Sequence, residues 1–216
     1  VIENREAYMA DRVRVSAVEP KTVLRVFNAS AAEMTAEPNH TIANKFFLNF
    51  AARISTPFGD SVMTTGHTLE NCSKACLGYG PVSSMKFLDF NPKDAKPYFK
   101  GVDLALLPVD PANLGVKKLS IAQPDWKGQV TVTAPELDGT GKEVWFTQVS
   151  DVRPIATTNY ERDYFISSKN GDCGSIVYNS TNNVVGLHCA TRGANISNLF
   201  VDIAVLGKVV KIGTGN

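Results

Sequence analysis

Apolar and polar positions alternate with a period of two along much of this chain, the pattern of half-buried strands rather than helices. Gln129–Ala134 (QVTVTA) and Glu143–Val149 (EVWFTQV) alternate cleanly, and Pro135–Lys142 between them is a turn cluster holding Asp138-Gly139. Phe46–Ile54 (FFLNFAARI) is rich in β-formers and ends at Thr-Pro-Phe-Gly-Asp. Ser61–Thr65 (SVMTT) follows at once, which predicts a hairpin. Val102–Val109 is a short apolar run of buried-strand length. Ser175–Tyr178 and Val184–His188 flank the polar tract Asn179–Asn183 as a further hairpin, and Leu199–Leu206 closes the set.

Helical signal is thin. Glu3–Val13 reads as one short amphipathic helix, and the last dozen residues as a short helix or strand. Many short strands with frequent turn signals predict an all-β fold, a barrel or a sandwich. Pro, Gly and Lys interrupt the strand pattern within Asp110–Lys127, the best connector between two β lobes. The expected organisation is therefore 1–110 as an N-terminal segment and first lobe, 111–127 as connector, and 128–216 as second lobe. The stretch before Phe46 is longer than one helix requires, and the pattern gives the excess no role.

At 216 residues the chain has ample material for a core. Lys+Arg 22 against Asp+Glu 21 leaves a net charge of +1, which excludes polyanion binding by bulk charge. Four cysteines are too few and too unevenly spread for a secreted disulfide framework. No apolar run approaches the roughly 20 residues of a membrane span. A first residue of Val rather than Met predicts a chain that is either processed from a longer product or trimmed. Five Asn-x-Ser/Thr strings, at Asn28, Asn39, Asn71, Asn179 and Asn195, carry no meaning in the cytosol, which a free thiol suggests.

The most specific local string is Asn170-Gly171-Asp172-Cys173-Gly174-Ser175, leading into Ile176-Val177-Tyr178. Glycines around a nucleophile allow a tight turn, and its successive N–H groups can converge on an oxyanion. A thiol there needs a base and an orienting group. Of the three histidines, His67 ends the strand Val62–Thr65, whereas His40 lies in a polar loop. Asp103 opens the run Leu104–Leu107, where a carboxylate requires a partner such as an imidazolium. Asp60, Asp89, Asp94 and Glu70 remain alternatives for the acid. Cys72, Cys76 and Cys189 fit no zinc spacing, and the first two read as packing residues in a loop after the His67 strand. Neither a metal nor a cofactor is called for.

The order His67, Asp103, Cys173, with a TTGH strand end, a DLALL strand and Gly-Asp-Cys-Gly-Ser, resembles the chymotrypsin-fold cysteine proteases of positive-strand RNA viruses. These include the 3C-like picornavirus proteases and the potyvirus nuclear inclusion proteases. The resemblance implies two six-stranded antiparallel β-barrels with the active site in the cleft between them. It implies Cys173 as nucleophile, His67 as general base and acid, and Asp103 as the group that orients the imidazole. Backbone N–H groups of Gly171, Asp172 and Cys173 would form the oxyanion hole. Val184-Val185-Gly186-Leu187-His188 matches the Gly-x-His of the family's S1 pocket, with Ser168 as its hydroxyl helper, although adjacent Ser167 could take that place. That match implies cleavage of a viral polyprotein or peptide after Gln or Glu, in the host cell cytoplasm. A C-terminal Asn216 would depart from that preference if it were a processing site. Lys117, Lys118, Lys127 and Arg162 raise weak viral RNA binding, and an RNA-binding module or a catalytically silent protease-fold binding protein are the rival readings.

Overall fold

The alternation read from QVTVTA is realised in a nine-residue strand, Gln129–Leu137, in which Val130, Val132 and Ala134 are buried while Thr131 and Thr133 are half-buried. The computed structural model describes residues 14–17, 19–36, 46–56, 59–81, 84–97, 102–107, 109–121, 129–152, 160–190 and 198–203. In chain order the first strands are β1 (Arg14–Ala17), β2 (Val23–Phe27), β3 (Phe47–Thr56), β4 (Gly59–Thr64) and β5 (Ala75–Tyr79). There follow β6 (Lys86–Phe90), β7 (Lys96–Pro97), β8 (Ala105–Leu107) and β9 (Leu119–Ser120). The rest are β10 (Gln129–Leu137), β11 (Glu143–Asp151), β12 (Glu161–Tyr164), β13 (Ile176–Asn179), β14 (Val184–Ala190) and β15 (Asn198–Asp202).

One sheet runs β6-β5-β2-β3-β4-β8-β7, with β9 parallel to β3. The other runs β1-β11-β10-β13-β14-β15-β12. Apart from the two-residue β7 and β9 in one and β1 in the other, each curled sheet has six strands, antiparallel to their neighbours. This is the chymotrypsin-type double barrel. Leu24, Val26, Val62, Leu77 and Leu107 fill the first lobe, and Val130, Val132, Tyr164, Val177 and Phe200 the second. A third cluster crosses the boundary, with Ala52, Ile54, Met63 and Leu104 against Ile176, Leu187, Leu199 and Val201. The lobes are therefore fused through apolar contact, not merely tethered.

The residues before Phe46 serve both lobes. Strand β1 pairs with β11 in the second sheet, whereas β2 lies between β5 and β3 in the first. A six-residue helix, α1 (Ala31–Ala36), follows β2. Ser30 and Glu33 cap it reciprocally, Glu33 N–H donating to Ser30 Oγ at 3.1 Å and Ser30 N–H to Glu33 Oε1 at 3.3 Å. The connector also engages both lobes: Ile54 pairs with Leu119 and Ile121 bridges to Val184.

Some expected boundaries shift. Of Val102–Val109 only Ala105–Leu107 pairs as a strand, and β15 ends at Asp202, with 204–206 beyond the described residues. Cys76 is not in a loop: it is buried in β5 among Phe27, Ala29 and Met34. The expected helix over Glu3–Val13, His40, Lys127 and the C-terminal residues also lie outside the described residues. Among those described, no helix is long and apolar enough to cross a membrane.

Candidate active site

Strand β4 ends at Thr64, and the chain then closes a 3-10 turn over His67–Leu69, which projects His67 at the sheet's end. Its neighbour β8 pairs Ala105 with Thr64, so Asp103, two residues ahead of β8, arrives beside it. His67 Nδ1 lies 2.5 Å from Asp103 Oδ2, and the His67 backbone N–H donates to Asp103 Oδ1 at 2.8 Å. One carboxylate thus fixes both ring and main chain. Val102 and Leu104, buried in the inter-lobe cluster on either side, fix the carboxylate in turn. The other candidate acids are engaged elsewhere or exposed. Asp60 takes Lys118 at 2.9 Å, Asp89 accepts from Ala31 N–H at 2.6 Å, and Asp94 and Glu70 are exposed at 3-10 turns.

Cys173 comes from the second lobe and stands beside the His67 ring, close enough to act on its charge, while its Sγ donates to Cys189 O at 3.5 Å. The His67 imidazole is pushed up to about 10. The Asp103 hydrogen bond is the largest cause and the neighbouring Cys173 side chain the next, against an opposing effect of burial. The three residues expected from sequence therefore meet across the lobe boundary.

The nucleophile loop takes its shape from glycine. Gly171 (φ 99°) and Gly174 (φ 88°) occupy the left-handed region. A Cβ at Gly174 would stand 1.8 Å from Phe50 O on β3. Phe50 N–H donates to Cys173 O at 2.9 Å, and Gly174 N–H to His188 O at 2.8 Å. Asp172 N–H, expected among the oxyanion donors, instead donates to Lys169 O at 3.1 Å. Among the described residues, the N–H groups of Gly171 and Cys173 have no acceptor. Ser175 is buried, and its Oγ donates to Asp172 O at 2.7 Å.

His188 lies fully buried on β14, with Nδ1 2.5 Å from the Tyr164 hydroxyl. Burial drives its pKa down to about 3, so the ring is neutral near pH 7. Burial likewise raises Tyr164 well above its ordinary value, so the phenol keeps its proton and the two atoms share a neutral hydrogen bond. Ser168 is half-buried and donates to Asn198 Oδ1 at 2.7 Å, and Asn198 Nδ2 donates to Ile166 O. Ser167 is exposed. Gln148 grips its backbone at both N–H and C=O.

Several supporting residues escaped the sequence reading. Asn49 Nδ2 donates to Thr65 Oγ1 and Thr68 Oγ1, each at 2.6 Å, bracing the turn that carries His67. The TTGHT string held two of these partners, but Asn49 lies on another strand. Arg25 alternates with Leu24 and Val26 on β2, so it leaves the barrel interior for the lobe boundary. There its guanidinium meets Glu143 at 2.5 and 3.1 Å and faces the rings of Phe47, Phe50 and Trp145. Of the basic residues considered for RNA, Lys118 pairs with Asp60 and Arg162 with Asp202.

Residues 132–199 match the family model of the gill-associated viral 3C-like peptidase. Comparison with curated proteins finds no match. Among solved structures, the chain is similar to the serine protease domain of the Sesbania mosaic virus polyprotein. The two are 16% identical with a TM-score of 0.59, covering 91% of this chain and 96% of that one. It is also similar to tobacco etch virus protease complexed with product, at 13% identity and TM-score 0.58, over 88% of this chain and 78% of that one. The human pathogenic astrovirus serine protease aligns at 15% identity and TM-score 0.56, over 87% and 92%. The fold is thus that of viral chymotrypsin-like proteases. Cysteine and serine nucleophiles are not separated by these likenesses.

Proposed function

We propose that this chain is a cysteine endopeptidase that processes a viral polyprotein in the host cell cytoplasm, cutting after Gln or Glu. The observation that carries the reading is the constellation at His67, with Asp103 2.5 Å from Nδ1 and Cys173 beside the ring from the opposite lobe. With its pKa raised to about 10, His67 already holds the proton before attack; Cys173 attacks the scissile carbonyl as the thiolate partner of that imidazolium, which then gives the proton to the leaving amine. Water completes the cycle by hydrolysing the thioester. Gly171 and Cys173 N–H groups face the developing oxyanion. Cysteine is favoured over serine because Ser175, the nearby hydroxyl, is already committed to Asp172 O.

The neutral ring of His188 suits the uncharged side-chain carbonyl of a P1 residue. A Glu carboxylate would meet no cation there, so Gln is the better substrate. Cys173→Ala should abolish cleavage of a peptide with P1 Gln, and full activity in that variant would refute the reading.

A further inference from the structure

Asp172 sits between the two N–H groups proposed to receive the oxyanion, and every polar group it owns is bound within the loop. Its N–H donates to Lys169 O at 3.1 Å, and its C=O accepts from Ser175 N–H at 3.1 Å and Ser175 Oγ at 2.7 Å. Its carboxylate accepts from Lys169 N–H and Lys169 Nζ, each at 3.0 Å. The Lys169 ammonium also donates to Pro135 O on β10, tying the loop to the sheet beneath.

The pair is unequal. The Asp172 side chain is 6% exposed and that of Lys169 50%. Burial pushes the Asp172 carboxyl up, and Lys169 is the first influence pulling it back. A buried carboxylate without its cation would turn outward to water. Turning it outward rotates the peptide planes on both sides, and those planes carry the N–H groups of Gly171 and Cys173.

We infer that Lys169 is a positioning residue, which by holding Asp172 inward keeps the Gly171 and Cys173 N–H groups aimed at the oxyanion. The inference rests on the proteolytic reading above. Lys169 touches neither substrate nor nucleophile in this role, so it acts on charge stabilisation alone and leaves the reactivity of the thiol as it is.

The test compares wild type, Lys169→Met and Lys169→Arg on a P1-Gln peptide, with a matching peptide aldehyde and with iodoacetamide. The aldehyde forms a hemithioacetal by adding Cys173 Sγ to its carbonyl carbon, and the resulting oxygen occupies the oxyanion site. Iodoacetamide alkylates the thiol by displacing iodide and needs no such site. Lys169→Met should lower kcat and weaken the aldehyde by about 10²-fold, the loss typical of one oxyanion donor. Its KM and alkylation rate should change little, and Lys169→Arg should restore most of the loss. An active wild type with Lys169→Met equal to it in kcat and aldehyde affinity would overturn the proposal alone. So would an alkylation rate falling in step with kcat, because that reports general displacement of the loop. A wild type that neither cuts the peptide nor is alkylated at Cys173 would overturn the proteolytic reading, and this inference with it.

Discussion

Phe50 of the first lobe donates its backbone N–H to the carbonyl of Cys173 in the second, at 2.9 Å, so the strand behind the histidine also seats the nucleophile. The lobes do not approach each other as free bodies around the cleft. The catalytic spacing is set by a main-chain hydrogen bond, which side-chain variation elsewhere leaves intact.

That seat makes Gly174 the least replaceable residue of the loop. Gly174→Ala places a methyl group where Phe50 O already stands and demands φ 88° of an alanine. The expected result is a lower melting temperature and loss of iodoacetamide reactivity at Cys173 together with cleavage. Gly139→Ala, with open space around it, should leave all three unchanged.

Asp103→Asn tests the relay. His67 stands at about 10 mainly because of Asp103, so its titration, followed by NMR, should fall several units towards 6.5 in the variant. A pKa raised in the folded state contributes fully below pH 6.5, and the contribution fades as pH rises through about 10. Alkaline unfolding curves of wild type and variant should therefore converge near the upper end of that window. Cleavage should drop by about 10⁴-fold through loss of the correct tautomer.

His188 behaves in the opposite sense. Its folded pKa of about 3 lies below the unfolded value near 6.5, so its contribution is complete above pH 6.5 and is lost as pH falls towards 3. Across that window the wild type should lose up to about 1.4 kcal/mol per pH unit more than His188→Gln, by chemical denaturation. Tyr164→Phe should cost about 1–3 kcal/mol by taking from the buried Nδ1 its Tyr164 partner. It should also narrow the Gln-over-Glu preference measured with paired peptides.

Arg25 offers a test of how the lobes are held. Arg25→Met removes a guanidinium whose side chain is 6% exposed and frees Glu143, which keeps 26% of its own in water. The cost should be about 2–3 kcal/mol, below that of a fully buried pair broken on one side. In a double-mutant cycle, Arg25→Met and Glu143→Gln should be far from additive, and additivity would show that the pair is not coupled.

The legible parts of this molecule were those written within a few neighbouring residues. The alternation of β10 and β11 follows from Val130, Val132 and their partners, and the Gly171–Gly174 spacing marks the reactive loop. The hairpins around 57–58 and 179–183 were equally local. Strand β5, Ala-Cys-Leu-Gly-Tyr, has little strand preference of its own and becomes a strand because β2 and β6 flank it. Arg25 finds Glu143 only across the folded lobe boundary, 118 positions on. Tyr164 reads as an ordinary aromatic until β12, β15 and β14 lie side by side and bring it to His188. A run of three N–H groups does not reveal which one the loop uses for itself, and here Asp172 N–H is spent on Lys169 O.

The second sheet takes its outermost strand, β1, from among the first residues of the chain, in register with Thr147 and Gln148. Closing that edge requires the chain to bring together segments separated by most of its length, an entropic demand that slows folding. On the ribosome, β1 must wait unpaired until β11 has emerged, and Cys173 is synthesised later still. Assembly is therefore timed by translation, with the reactive thiol seated only after nearly the whole domain has been made.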